Sequence, residues 1–110
     1  MIFNKISNNF VFKTLKHIKY GHLKLTNFNN DVFYFGDEKE NLKAEIKINQ
    51  PGFFLKVIKN GSIGLAESYM KGEFETNNLS NLIELTARNI DVIYKFSGIL
   101  DLSAINYLRN

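Results

Sequence analysis

The chain has 110 residues, 45% of them hydrophobic and 23% charged, with ten phenylalanines and no cysteine. That balance describes one globular domain with one core, unlike a disordered chain, and its apolar runs are too short to cross a bilayer. A disulfide, a thiol nucleophile and a Cys-based metal site are excluded, and a reducing cytoplasm is permitted.

The formal charge of +3 is unevenly spread. Residues 1–30 contain Lys5, Lys13, Lys16, Lys19 and Lys24 and no acid, so the remaining chain carries −2. A cationic end of this kind favours an anionic partner, lipid headgroups or nucleic acid. A signal-peptide pattern is not expected, because Phe3, Ile6 and Phe10 to Phe12 are interrupted by Asn4, Ser7, Asn8 and Asn9.

Residues 2–19 fit an amphipathic helix. At about 100° per residue, Phe3, Ile6, Phe10, Val11, Leu15 and Ile18 share one half of the circumference, and Lys5, Lys13, Lys16 and Lys19 the other. Phe12 falls among the lysines and is expected to project with them. Such a face serves either as the solvated side of a helix packed on its own core or as a contact with an anionic membrane. Tyr20-Gly21 ends the helix. His22 to Thr26 and Val32 to Phe35 alternate as strands around an Asn29-Asn30-Asp31 turn, and Gly36-Asp37-Glu38 is a second turn. Leu42 to Ile48 has a strict period of two, and three antiparallel strands in a meander are the simple expectation.

Past Pro51-Gly52 the spacing becomes helical over Phe53, Phe54, Val57 and Ile58, with Asn60-Gly61 as a stop. Ile63 to Met70 reads as a further short helix or tight turn ended by Gly72, and Glu73 to Glu75 as a fourth strand. Asn77 or Asn78 can cap a helix carrying Leu79, Leu82, Ile83, Thr86, Ile90 and Ile93, interrupted at Ser97-Gly98. The fold class is therefore α+β, a small antiparallel sheet of about four strands covered by helices. Residues 1–98 form the domain. Residues 99–110 begin a linker helix toward a further domain, still in apolar pattern at Tyr107-Leu108.

Little in the chain invites catalysis. His17 and His22 lack a neighbouring carboxylate, so neither a metal site nor a Ser-His-Asp order is expected. Gly61-Ser62-Ile63-Gly64 is not a dinucleotide fingerprint. The phenylalanines lie in phase with the buried faces, so nucleic-acid stacking is not expected. Glu67 stands out among apolar neighbours, where its carboxylate could accept the N–H groups of a turn, the Tyr69 hydroxyl or a ligand.

The run Gly61-Ser62-Ile63-Gly64-Leu65-Ala66-Glu67-Ser68-Tyr69-Met70-Lys71-Gly72-Glu73-Phe74-Glu75, followed by Asn78-Leu79 and a helix ending Ala87-Arg88-Asn89, resembles the N-terminal region of the cyclopropane-fatty-acyl-phospholipid synthases. Phe74, Lys71 and Asn77-Asn78 depart from the Trp, Asp and Asp common in that pattern. The layout of strand, helix, Gly61, short helix, Gly72 and strand is also similar to the sterol-carrier-protein fold, in which a sheet and helices enclose an acyl-chain tunnel.

The synthase resemblance implies a parent protein that transfers a methyl group from S-adenosylmethionine to an acyl-chain double bond and closes a ring. The chemistry would belong to a Rossmann-like domain whose Gly-rich loop is absent here. This chain is then expected to be noncatalytic, without a cofactor or metal of its own. Its partners would be an anionic phospholipid surface at the cytoplasmic face of the inner membrane, met by Lys5, Phe12, Lys13, Lys16 and Lys19, and the methyltransferase domain. Gly61, Gly64, Glu67, Tyr69, Met70 and Gly72 would supply a ligand or interdomain contact. A free-standing lipid carrier, or a homodimerisation module joined through Ile99 to Leu108, are the alternatives.

Overall fold

The computed structural model describes residues 11–97. Along the chain these form α1 (residues 11–15), β1 (His22–Thr26), β2 (Val32–Gly36), β3 (Lys43–Ile48), α2 (Phe53–Met70), β4 (Phe74–Glu75), α3 (Leu79–Arg88) and α4 (Ile90–Ser97). The α+β class and the four strands are as the sequence reading expects. The linker segment 99–110, Lys5 and the first part of the 2–19 helix lie outside the described residues.

The sheet is open and mixed, in the order β2-β1-β3-β4. β1 pairs antiparallel with β2, and β3 with β4, but β1 and β3 run parallel with His22 opposite Lys43. The expected meander is thus replaced by a chain that passes around the start of β1 and pairs on its far side. Two glycines permit this. Gly36 and Gly21 adopt φ of +86° and +83°, and a Cβ on Gly36 would lie 2.2 Å from the Gly21 carbonyl oxygen. Residues 37–42 are then tied to the β1 end by Asp37 N–H on Gly21 O (3.3 Å) and His22 N–H on Leu42 O (2.9 Å).

Alternation decides what each strand buries. Leu23 and Leu25 of β1, Phe35 of β2 and Ala44, Ile46 and Ile48 of β3 point to one face, where Phe53, Phe54, Phe74, Leu82, Leu85 and Ile18 complete the core. Lys43, Glu45, Lys47 and Tyr34 are exposed on the other face. In α3 the buried positions are Leu82 and Leu85, whereas Ile83, which the helical spacing assigns to the same stripe, is 53% exposed. Asn78 is the N-cap, its side-chain oxygen accepting the Asn81 N–H at 3.0 Å. The helix expected to run on to Ser97 instead breaks at Asn89.

Two further elements differ from the local reading. The helix at the N-terminal end is tightened past Leu15 into i→i+3 bonds, His17 N–H on Thr14 O (3.0 Å) and Ile18 N–H on Leu15 O (3.3 Å). Lys16 and Lys19 therefore leave the helical wheel while Ile18 stays buried. The two short helices expected around Asn60-Gly61 form one element, α2, which is sharply bent. In a straight helix Lys56 and Gly64 would be separated by eight residues, about 12 Å of rise. Here a Cβ on Gly64 would lie only 2.7 Å from the Lys56 carbonyl oxygen. The bend falls between Lys56 and Gly64.

Candidate functional site

The turn from α2 into β4 is the most elaborated part of the molecule. α2 ends when Gly72 adopts φ +71°. The Gly72 N–H donates to Tyr69 O (3.1 Å) and the Glu73 N–H to Ser68 O (2.9 Å), the paired closure of a Schellman C-cap that a left-handed glycine makes available. Asn49 fastens the turn to β3, its amide donating to Gly72 O and to Glu75 Oε2, each at 3.1 Å. The Tyr69 ring lies 5.5 Å from that of buried Phe74.

One charge pair is enclosed here. Lys56 Nζ donates to Glu73 Oε1 at 2.7 Å, both side chains largely covered. The Lys56 hydrogen bond holds the Glu73 carboxyl below its ordinary range against the opposing effect of burial, with smaller help from the Lys56 charge, Ser68 and Lys71. The Ser68 hydroxyl is fully buried and has no partner at ordinary hydrogen-bond geometry. Its nearness to Glu73 still favours the anion.

The residues singled out from sequence are distributed as follows. Gly64 is buried at the bend, Gly61 belongs to the backbone of α2, and Gly72 makes the C-cap. Glu67 is half-buried, and it is its backbone carbonyl rather than its carboxylate that takes the turn N–H of Lys71 (3.0 Å). Tyr69 and Met70 are exposed, Met70 by 77%. Ile63, Ala66 and Met70, at spacings of three and four, form an exposed apolar stripe on α2. The motif thus places Gly64 at the bend and Tyr69 and Gly72 at the closing turn of α2, and leaves Met70 at the surface.

Lys13, Lys16 and Lys19 are exposed near the N-terminal end. Phe12 does not project with them. Its ring is half-buried, 4.8 Å from Phe33, 6.1 Å from Phe35 and 6.3 Å from Phe54. The aromatic side chains of Phe33, Phe35 and Phe54 hold it inward, a correction to its expected projection among the lysines.

Sequence reasoning missed two polar centres. One is the Lys56–Glu73 pair, whose members are 17 positions apart with no local pattern linking them. The other is Asn89, fully buried between α3 and α4. Its Oδ1 accepts the N–H groups of Lys19 (2.8 Å) and Tyr20 (3.1 Å), and its Nδ2 donates to Tyr20 O and Leu85 O, both 2.8 Å. An asparagine closing a helix was the only available signal.

Among the described residues no group of three His, Cys, Asp or Glu side chains could hold a metal ion, and no helix is long and apolar enough to cross a membrane. His22 stacks on Tyr34 with ring centroids 5.8 Å apart. Two clefts of about 410 Å³ are open to solvent, one on the exposed sheet face beside Lys24, Thr26, Glu45 and Lys47, the other beside Asn41, Leu42 and Arg88.

The family profile of the domain of unknown function DUF7884 matches residues 10–96, nearly all of the described fold. The chain belongs to the DUF7884 family. Within this DUF7884 chain, 36 residues are 47% identical to the cyclopropane-fatty-acyl-phospholipid synthase of Escherichia coli strain K12, and to that of E. coli O6:H1 at the same level. The stretch is 33% of this chain and 9% of each synthase. The DUF7884 chain therefore covers about a tenth of the length of the relatives it matches. No solved structure matches it.

Proposed function

We propose that this chain is a noncatalytic docking domain of a cyclopropane-fatty-acyl-phospholipid synthase, resting on anionic phospholipid at the cytoplasmic face of the inner membrane. The observation that carries this reading is the arrangement of the N-terminal segment. Its apolar side chains Phe12, Leu15 and Ile18 are committed to the core, while Lys13, Lys16 and Lys19 face solvent with no acid before Asp31. Contact is then electrostatic adhesion to headgroups, not insertion of an aromatic wedge. The local identity to the E. coli synthases supports the parent activity. The methyltransferase domain, with its S-adenosylmethionine, would meet the Ile63-Ala66-Met70 stripe and receive lipid held at the surface.

Flotation with vesicles of phosphatidylglycerol and phosphatidylcholine, against phosphatidylcholine alone, tests the reading. Binding is expected only with the anionic lipid, and is lost in high salt and in the triple variant Lys13→Glu, Lys16→Glu, Lys19→Glu. Binding that ignores charge sinks it. Lipid co-purifying with the chain and unaffected by the triple change would favour a carrier instead.

A further inference from the structure

The two edges of the sheet are treated differently. At the β4 edge, β4 itself is two residues long, and the outward carbonyls of β3 beyond it are taken by side chains. Thr76 Oγ1 donates to Glu45 O at 2.6 Å and Asn81 Nδ2 to Lys43 O at 3.0 Å. That strand also carries Lys43, Glu45 and Lys47. Short pairing, side-chain caps and charge are the usual means of keeping an edge from recruiting another strand.

The β2 edge has none of these. Its sequence, Val32-Phe33-Tyr34-Phe35-Gly36, contains no charge and no proline. Which of its backbone groups point outward follows from the ladder. Asn27 N–H bonds Asp31 O (2.9 Å) and Asp37 N–H bonds Gly21 O (3.3 Å), at the two ends of the β1–β2 register. Hydrogen-bonded pairs alternate between those ends, so Leu25–Phe33 and Leu23–Phe35 exchange bonds within the sheet. Val32, Tyr34 and Gly36 therefore direct their N–H and C=O groups away from β1. No described residue bonds to them, and the Val32 and Tyr34 side chains are 43% and 64% exposed.

We propose that this edge pairs antiparallel with the β2 edge of a second copy of the chain, about a two-fold axis at Tyr34, joining two sheets into one. The outward groups are symmetric about Tyr34. Tyr34 faces Tyr34 of the other copy, Val32 faces Gly36, and every outward N–H meets an outward C=O. An uncharged strand meets itself without like-charge repulsion. The axis is perpendicular to the sheet, so the helical layers of both copies lie on the same side. Because the β4 edge is capped, association stops at two.

Sedimentation of the full chain over a wide concentration range tests this. A monomer–dimer equilibrium is expected. Tyr34→Lys places two cations across the axis and abolishes the dimer, as does Tyr34→Glu with two anions; mixing the two variants restores a heterodimer. Circular dichroism and melting temperature establish that each variant is folded. As a second readout, the chain has no cysteine, and residues facing one another in a hydrogen-bonded pair have Cα atoms about 5.5 Å apart, within disulfide reach. Tyr34→Cys is therefore expected to cross-link into dimers under mild oxidation, while exposed Ala66→Cys is not. A monomer at every concentration, a dimer that survives Tyr34→Lys, failure of the mixed variants to pair, or species larger than a dimer would each overturn the proposal.

Discussion

Asn89 holds four hydrogen bonds in a site closed to water, and all of them but the one to Leu85 reach about 70 positions back along the chain. Replacing it by leucine removes the amide and strands the Lys19 and Tyr20 N–H groups and the Tyr20 carbonyl. Burial of unpartnered polar groups costs about 1–3 kcal/mol each, so Asn89→Leu is expected to destabilise the fold by about 3 kcal/mol or more in urea unfolding. The glycines separate strain from collision. Gly72 at φ +71° has open space around it, so Gly72→Ala costs only the left-handed backbone, about 1–2 kcal/mol. Gly36→Ala adds a clash with the Gly21 carbonyl at 2.2 Å and is expected to lower the melting temperature considerably more. Gly72 was legible as a stop because a helix end needs a local left-handed residue. Phe12 was not legible, because its direction depends on Phe33 and Phe54.

At the level of elements, α2 and the turn before β4 act together through the Lys56–Glu73 pair, which bridges the first half of α2 to the residue preceding that strand. The folded state holds Glu73 below the ordinary carboxyl value of 4.5. Its contribution is therefore complete above the unfolded value and lost as pH falls through the folded one. Glu73→Gln is expected to cost about 1 kcal/mol at neutral pH, a modest value for a partly covered pair. That difference should close in unfolding experiments as the pH falls through the lowered folded-state value, where the native carboxyl itself becomes neutral. The β3 strand shows how much an element can announce locally: its strict alternation of Lys43, Glu45 and Lys47 with Ala44, Ile46 and Ile48 matches the exposed and buried faces. What alternation does not carry is the identity of the neighbouring strand. The parallel β1–β3 pairing follows from the wrap of residues 37–42 around Gly21.

Over the whole molecule, the two proposed surfaces rest on different features, the lysines of the N-terminal segment and the backbone edge of β2. A lysine near an anionic membrane contributes about 1 kcal/mol. Lys13, Lys16 and Lys19 together would then account for about a hundredfold in partitioning, and charge reversal should cost more than that. This explains why flotation is read with the triple variant rather than with one lysine at a time. The pairing of β2 edges depends on none of these lysines, so Tyr34→Lys and the triple variant distinguish the two surfaces.

The amino-acid order by itself specified an α+β domain, the alternation of each strand, a helix cap at Asn77 or Asn78 and the Gly72 stop. Each depends on residues within a few positions of one another, where period and propensity act directly. The strand order, the inward turn of Phe12, the bend in α2, the Lys56–Glu73 pair and the four bonds of Asn89 were settled by packing. They join residues far apart in sequence, and their energies exist only once the core has brought those residues into contact.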